Sequence, residues 1–332
     1  MTIYDIAKEA GVSPSSVSRV INKKPGVKEN TRRRVMELLE EHDFVPNAIA
    51  KGLVSKSSKT IGILISDLRV SHHVDGVYHV EKELTDHGYC SLIMNTGSKA
   101  IDKVQAIREL ERRRVDGLVL MGAVFQCSEV KSAITQYLRD IPVLMVNGCL
   151  DLPNVCGVIS DEEDATKRCV ERLDQLGRSR LAFVCDDGVN PSVEAKRRGY
   201  RRAMETLPDT ECWIYPAENS YAGGEAATLR VLAEHPEVDG ILYSVDLLAA
   251  AGIHTLMKSG VSVPERVSVI GMNNSVYAEI CSPSITSLDN KRNEASVMAA
   301  SMLIDKINGQ KIAQKVMLFS ELIERESTAS GT

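Results

Sequence analysis

The sequence predicts two folding units of different class: a small all-α headpiece built on a helix-turn-helix, then an α/β body of two lobes with parallel sheets. Three observations carry this. Near the N-terminus, apolar residues at helical spacing (Ile3, Ile6, Ala7, Ala10) run into Gly11 and resume past Pro14. From Thr60 onwards, near-continuous apolar runs alternate with helical patterns, in two successive series. The charge is divided too: residues 1–60 hold 11 Lys and Arg against 7 Asp and Glu, the remainder 29 against 38, so a head of +4 is joined to a body of −9.

At 332 residues, 43% apolar and 26% charged, the chain has the composition of a soluble globular protein with more than one domain. No apolar run approaches the roughly 18 residues of a membrane span. Asp5, Lys8 and Glu9 interrupt the N-terminus where a secretion signal needs an apolar stretch, so a cytoplasmic protein without a membrane partner is expected. The eight cysteines (90, 127, 149, 156, 169, 185, 212 and 281) form no C-x-x-C pair, and most lie in apolar runs. Buried, reduced thiols are expected, with a zinc site as the lesser reading.

Thr2 followed by Asp5 has the form of an N-cap with an acidic N3 residue, and Gly11 suits a left-handed helix stop. Ser13 caps a second helix whose first residue is Pro14 and which continues through Ile21. Ala7 is small where the two helices would cross, and Val17 and Val20 point inward. The outer face carries Ser15, Ser16 and Arg19 and is followed by Asn22-Lys23-Lys24. Hydroxyls and a guanidinium can read base edges and phosphates in a major groove, whereas a plain helical hairpin has no need of them. A third helix, about Glu29 to His42, turns Val35, Leu38 and Leu39 inward and Arg32, Arg33 and Arg34 outward. In residues 46–59, Asn47 is placed to cap a short helix ending near Gly52-Leu53. Such a helix is too short to persist alone, which leaves folding on binding or an inert tether.

The runs Thr2–Pro14, Val17–Asn22 and Pro46–Leu53 resemble the headpiece of the lactose/galactose repressor family, and a looser similarity extends over nearly the whole chain. The resemblance implies a homodimer with two recognition helices in successive major grooves of a near-palindromic double-stranded operator. Linker helices would lie in the minor groove between them. It places Tyr4, Pro14, Ser15, Ser16, Arg19, Asn22, Asn47 and Leu53 on DNA, with Leu53 wedged into a base step. It also implies a periplasmic-binding-protein-like sensor. The expected divisions are a headpiece over 1–45, a hinge helix and linker over 46–59, and an effector-binding and dimerisation domain over 60–327. Within the last, an N-lobe of 60–160 and 290–318 faces a C-lobe of 162–288, with chain crossings near 160, 289 and 318.

In the body, strands are expected at 61–65, 91–94, 117–120, 143–146, 181–184, 241–243 and 267–270. Helices are expected at 74–87, 100–113, 162–176, 193–206, 224–234 and 247–259. Two such series place a ligand cleft at the carboxyl ends of the strands. The chain has no G-x-x-x-x-G-K-[S/T], no G-x-G-x-x-G after a strand and no G-x-S-x-G, so neither catalytic residues nor a cofactor are expected. The acidic run Asp161–Asp164 suits a helix start through the helix dipole.

The resemblance further puts Asp67, His72, His73, Lys196, Asp246 and Asn273 in the cleft, with departures. His72 and His73 stand where an aromatic platform is usual, Lys196 where an arginine is usual, Val245 before Asp246 where an amide is usual, and Asn273 where an aspartate is usual. Losing one amide and one carboxylate weakens the grip on a neutral sugar. Arg69, His72, His73 and Lys196 would then favour a sugar acid or sugar phosphate over a neutral sugar. Two rivals remain: a catabolite-type regulator whose input is a phosphorylated carrier protein, suggested by similarity over 46–62, and a cytoplasmic sugar-binding protein. The tail after Leu322 shows no heptad repeat of the kind a tetramerising coiled coil uses.

Overall fold

The computed structural model describes residues 1–21, 24–42, 44, 57–207 and 211–328, without the side chains of Ser71 and His72. Asn22, Asn47, Leu53 and the expected linker helix lie outside the described residues. The chain separates into two compact units, Met1–Lys59 and Thr60–Thr332.

In the first unit, α1 (Ile3–Ala10) begins with a reciprocal cap. The Asp5 amide donates to Thr2 Oγ1 at 3.4 Å, and the Thr2 amide donates to Asp5 Oδ2 at 2.8 Å. Gly11, at φ +66°, ends it. Helix α2 (Pro14–Ile21) starts with the Ser16 amide donating to Ser13 Oγ at 3.2 Å. Helix α3 (Glu29–Glu41) completes a core of Ile6, Ala7, Val17, Val20, Val35 and Leu38. Arg32 corrects the expected arginine face: it is half-buried because its Nη2 donates to the Lys24 carbonyl at 2.9 Å, leaving Arg33 and Arg34 exposed.

The second unit opens with β1 (Thr60–Ile65), α4 (Ser71–Asp86), β2 (Cys90–Asn95), α5 (Ala100–Arg112), β3 (Gly117–Met121), α6 (Ser128–Tyr137), β4 (Val143–Val146) and β5 (Val155–Ser160). A second series follows: α7 (Glu162–Gln175), β6 (Leu181–Asp186), α8 (Pro191–Met204), β7 (Trp213–Ala217), α9 (Tyr221–Glu234), β8 (Gly240–Tyr243), α10 (Asp246–Lys258), β9 (Ser268–Met272), α11 (Val276–Ile280) and β10 (Thr286–Asp289). The chain ends with α12 (Arg292–Ile307), β11 (Lys315–Leu318) and β12 (Glu321–Ile323). Helices α4, α8 and α9 start two or three residues ahead of their apolar periodicity. For α8 and α9 the cause is the cap: Asn190 Oδ1 accepts from the Ser192 and Val193 amides, and Ser220 Oγ from the Gly223 amide.

One sheet has the order β11-β5-β4-β3-β1-β2, parallel throughout. The other is β12-β10-β9-β8-β6-β7, parallel except for the antiparallel edge strand β12. Each is covered by apolar clusters on both faces, as parallel sheets require. The chain passes from the first sheet to the second after β5, returns through α12, and crosses again between β11 and β12. No helix among the described residues is long and apolar enough to cross a membrane.

The cysteine expectation is corrected. Cys156, Cys169 and Cys185 are buried, but Cys90 and Cys212 are exposed and the other three half-buried. Cys90 begins β2 and Cys212 precedes β7, and both are edge strands with one flank in water.

Helices α7 and α8 pack closely because Gly199 has no side chain: a Cβ there would meet the Glu163 carbonyl oxygen, and Thr166 Cβ at 3.0 Å. Gly199→Ala is therefore expected to destabilise the body by about 1–3 kcal/mol through overpacking, read as a lower urea midpoint. An unchanged midpoint would contradict this packing.

Candidate functional site

Two regions carry functional groups. In the first unit, Pro14, Ser15 and Arg19 are exposed on one face of α2, and Tyr4 is 69% exposed at the start of α1. Ser16 is half-buried, its Oγ 3.0 Å from Ser13 Oγ at the cap. Gly26, at φ +92°, leaves room for the Arg19 guanidinium, since a Cβ there would lie 2.7 Å from Arg19 Nη1.

In the second unit, two adjoining cavities of about 490 and 280 Å³ share Asp67, Arg69, Asn219, Val245 and Asn273, forming one cleft. Its walls come from segments that follow the carboxyl ends of β1, β3, β6 and β8. In each sheet these strands flank the point where strand order reverses, between β1 and β3 and between β6 and β8. Loops there diverge to opposite faces and leave a crevice.

The cleft's charges are largely paired with one another. The Arg69 fork holds Asp67, with Nη2 to Oδ2 at 2.7 Å and Nε to Oδ1 at 3.0 Å. That hydrogen bonding keeps the Asp67 carboxyl down at about 2. His73 Nδ1 lies 3.3 Å from the Asp67 carbonyl oxygen, and burial, helped by the charge of Arg292, pushes the ring down to about 4, so it is neutral at pH 7. Lys196 is 5% exposed; its Nζ donates to the Ser244 carbonyl at 3.1 Å and stands 3.9 Å from Glu162 Oε1. The positive lean expected from Arg69, His72, His73 and Lys196 is thus absent from the described groups. Asp67 and Glu162 face the two cations, and His73 carries no charge.

Asp246 begins α10 with both oxygens engaged, accepting from the Ser275 amide at 2.7 Å and Ser287 Oγ at 2.6 Å. Burial pushes its carboxyl up to about 6. Asn273, in the left-handed region at φ +97°, accepts at Oδ1 from Asn290 Nδ2 at 3.1 Å and Arg292 Nη2 at 3.3 Å.

Sequence reasoning missed two residues. Arg292 starts α12 just past a crossing and lines the cleft, with a buried Nε that has no hydrogen-bond partner. A charged residue at a helix start reads as solvated, and only the crossing could have placed it here. In sequence, Glu162 reads with its neighbours as an acidic helix start favoured by the dipole. The run does begin a helix, and two of the neighbours also have specific partners: Asp161 takes the Ser320 amide and Arg168, and Glu163 takes Arg198 and Arg202.

A headpiece presenting a hydroxyl-and-guanidinium helix face, on a chain with a two-lobed polar cleft, defines a ligand-responsive transcription regulator. Residues 2–47 match the bacterial regulatory proteins of the lacI family, and residues 58–330 match the periplasmic binding proteins and sugar binding domain of LacI family. An HTH-type transcriptional regulator of Lachnoclostridium phytofermentans is 31% identical over 99% of both chains. Catabolite control protein A of Priestia megaterium is 28% identical, also over 99% of both chains. Among solved structures, the lac repressor dimer bound to operator and the anti-inducer ONPF shares the fold at a TM-score of 0.89 and 23% identity, with 99% of both chains covered. The transcriptional regulator CelR in complex with cellobiose gives 0.72 at 25% identity, covering 98% of this chain and 99% of that one. The chain belongs to the lacI family of bacterial transcription regulators and is not an enzyme.

The cleft groups make opposing contributions to stability against pH. For His73, lowered from 6.5 to about 4, stability is fully present above pH 6.5 and is lost as pH falls through 4. For Asp246, raised from 3.8 to about 6, the contribution is present below pH 3.8 and is lost as pH rises through 6. Urea unfolding at stepped pH should show His73→Asn losing less stability than the unaltered chain between pH 6.5 and 4. Parallel curves would remove His73 from the buried position described.

Proposed function

We propose that this regulator binds a near-palindromic operator as a homodimer and is controlled by a small, neutral, hydroxyl-rich effector in the cleft. Pro14, Ser15 and Arg19 read base edges, while Tyr4, Ser16 and Asn22 contact the surrounding backbone. Asn47 and Leu53 serve the linker, with Leu53 as the minor-groove wedge. The site of action is the cytoplasm, where the DNA is.

The single observation that carries the operator reading is the exposed face of α2. A proline at N1, a serine and an arginine are exposed on the outer surface of a helix whose inner surface is packed, the Ser15 Oγ lying 2.7 Å from Ser13 Oγ. The effector reading rests on the pairing of Asp67 with Arg69 and of Glu162 with Lys196, which leaves amides and hydroxyls as the main available hydrogen-bonding groups beside the Arg292 Nε. Asn190, Asn219 and Ser244 line it beside Asp67. The relative CelR, whose structure holds cellobiose, lends support from outside this chain. Of the candidate effector residues, Asp67 and Asn273 present polar atoms at the cleft, whereas Asp246 serves by fixing the loop at Ser275.

Selection of duplex sites from a random pool, with the full chain and with Arg19→Ala, tests the operator reading. The unaltered chain should enrich a near-palindrome, with affinity falling steeply as salt rises. Arg19→Ala should lose about 1–3 kcal/mol at the best site and relax preference at one position per half-site. No enrichment by either protein, with and without a panel of neutral sugars, would sink it.

A further inference from the structure

We propose that Glu162 withdraws Lys196 from anion binding by serving as its internal counter-ion, so that the Lys196 side of the cleft takes a neutral hydroxyl in preference to an anion. The inference rests on the effector reading above and adds the residue that determines it.

The carboxylate sits where both lobes meet. Glu162 is the first residue of α7, directly after the crossing from β5. Its Oε1 accepts from Ser192 Oγ at 2.7 Å and from Asn147 Nδ2 at 3.2 Å, and lies 3.9 Å from Lys196 Nζ. Ser192 and Lys196 are one turn apart on α8, in the second lobe, and Asn147 follows β4 in the first. All three line the larger cavity, and Glu162, 6% exposed, stands behind them.

A ligand carboxylate or phosphate entering this cavity meets Lys196 already faced by Glu162 and held by the Ser244 carbonyl. Binding there would set two anions about one ammonium in a water-poor site, which is unfavourable unless one is protonated. A neutral hydroxyl meets no such opposition and can add hydrogen bonds to Lys196 or Asn147. A lysine read from sequence as an anion-gripping group is by this geometry an internal ion-pair partner, and the group that decides it is Glu162.

The test compares the full chain, Glu162→Gln and Glu163→Gln by isothermal titration with D-glucose, D-gluconate and D-glucose 6-phosphate at matched ionic strength. Glutamine keeps an acceptor for Ser192 and Asn147 and removes only the charge. Glu163→Gln makes the same change in net charge outside the cleft, where Glu163 pairs with Arg198 and Arg202 on the helix surfaces. Glu162→Gln should gain about tenfold or more in affinity for gluconate or the sugar phosphate, the scale of a unit-charge interaction near 4 Å. Glu163→Gln should gain nothing, and Glu162→Gln/Lys196→Met should lose most of the gain. Equal anion affinity in Glu162→Gln and the unaltered chain, or an equal gain in Glu163→Gln, overturns the proposal. Should Glu162→Gln fail to fold, the unaltered chain decides alone: binding either anion more tightly than glucose overturns the proposal, and binding glucose more tightly than both supports it. A chain that ignores glucose and every other neutral sugar tried would count against the effector reading, while the anion gain still decides the role of Glu162.

Discussion

The two lobes form a usable cleft because the chain is tied to itself where it crosses between them. Asp161, with a side chain 3% exposed, accepts from the Ser320 amide at 2.7 Å and from Arg168 Nη2 at 2.9 Å, while Arg168 also donates to the Ser320 carbonyl. Ser160 Oγ donates to the Asn290 carbonyl at 2.7 Å, and Lys291 reaches Glu321 at 2.7 Å. The first crossing is thereby bonded to the second and the third, and the second to the third. The buried part of this clasp, at Asp161, fixes the local arrangement, since breaking its bonds leaves the carboxylate desolvated and unpaired. Everything in the cleft inherits its position from these bonds: Glu162 follows Asp161, and Arg292 follows Lys291.

That clasp also sets where two of the cleft's charges lie. Placing Glu162 and Arg292 on crossing segments puts both between two low-dielectric lobes, where an isolated charge is costly. Lys196 with Glu162 meets this cost by pairing and His73 by staying neutral, while Arg69, 90% exposed, pairs with Asp67 on the water-facing side. Arg292 meets it only in part, as its orphaned Nε records. The polar character of the site is therefore carried by amides and hydroxyls, which need no counter-ion and can exchange an internal hydrogen bond for one to a ligand at small net cost.

The headpiece was legible nearly residue by residue because its signals are local. The Thr2–Asp5 cap, the left-handed Gly11, the Ser13 cap and the alternation of inward valines lie within one or two turns of the groups they act on. Seven of the parallel strands were legible as apolar runs, whereas β5, β7 and β10, broken by Gly157, Pro216 and the polar Thr286 and Ser287, were not. Edge strands β11 and β12 carry exposed positions and give no such run. Edges also account for the exposure of Cys90 and Cys212. The cleft was legible as to place and illegible as to charge. Asp67, His73, Lys196 and Asn273 line it, yet whether each cation is available depends on partners such as Glu162, 34 positions from Lys196 in the chain. Pairings of that range leave no periodic trace in a single sequence.

A cleft built this way constrains how an effector can act on DNA binding. A ligand shifts an equilibrium only by the difference in its affinity for the two states, and couplings between sites are typically about 1–3 kcal/mol. One or two hydrogen bonds made in one lobe arrangement and absent in another supply that amount. The bonds at issue are those joining the lobes through Glu162, because Asn147 belongs to one and Ser192 to the other. An effector hydroxyl that takes over either bond changes the relative stability of the lobe arrangements without bringing in any charge.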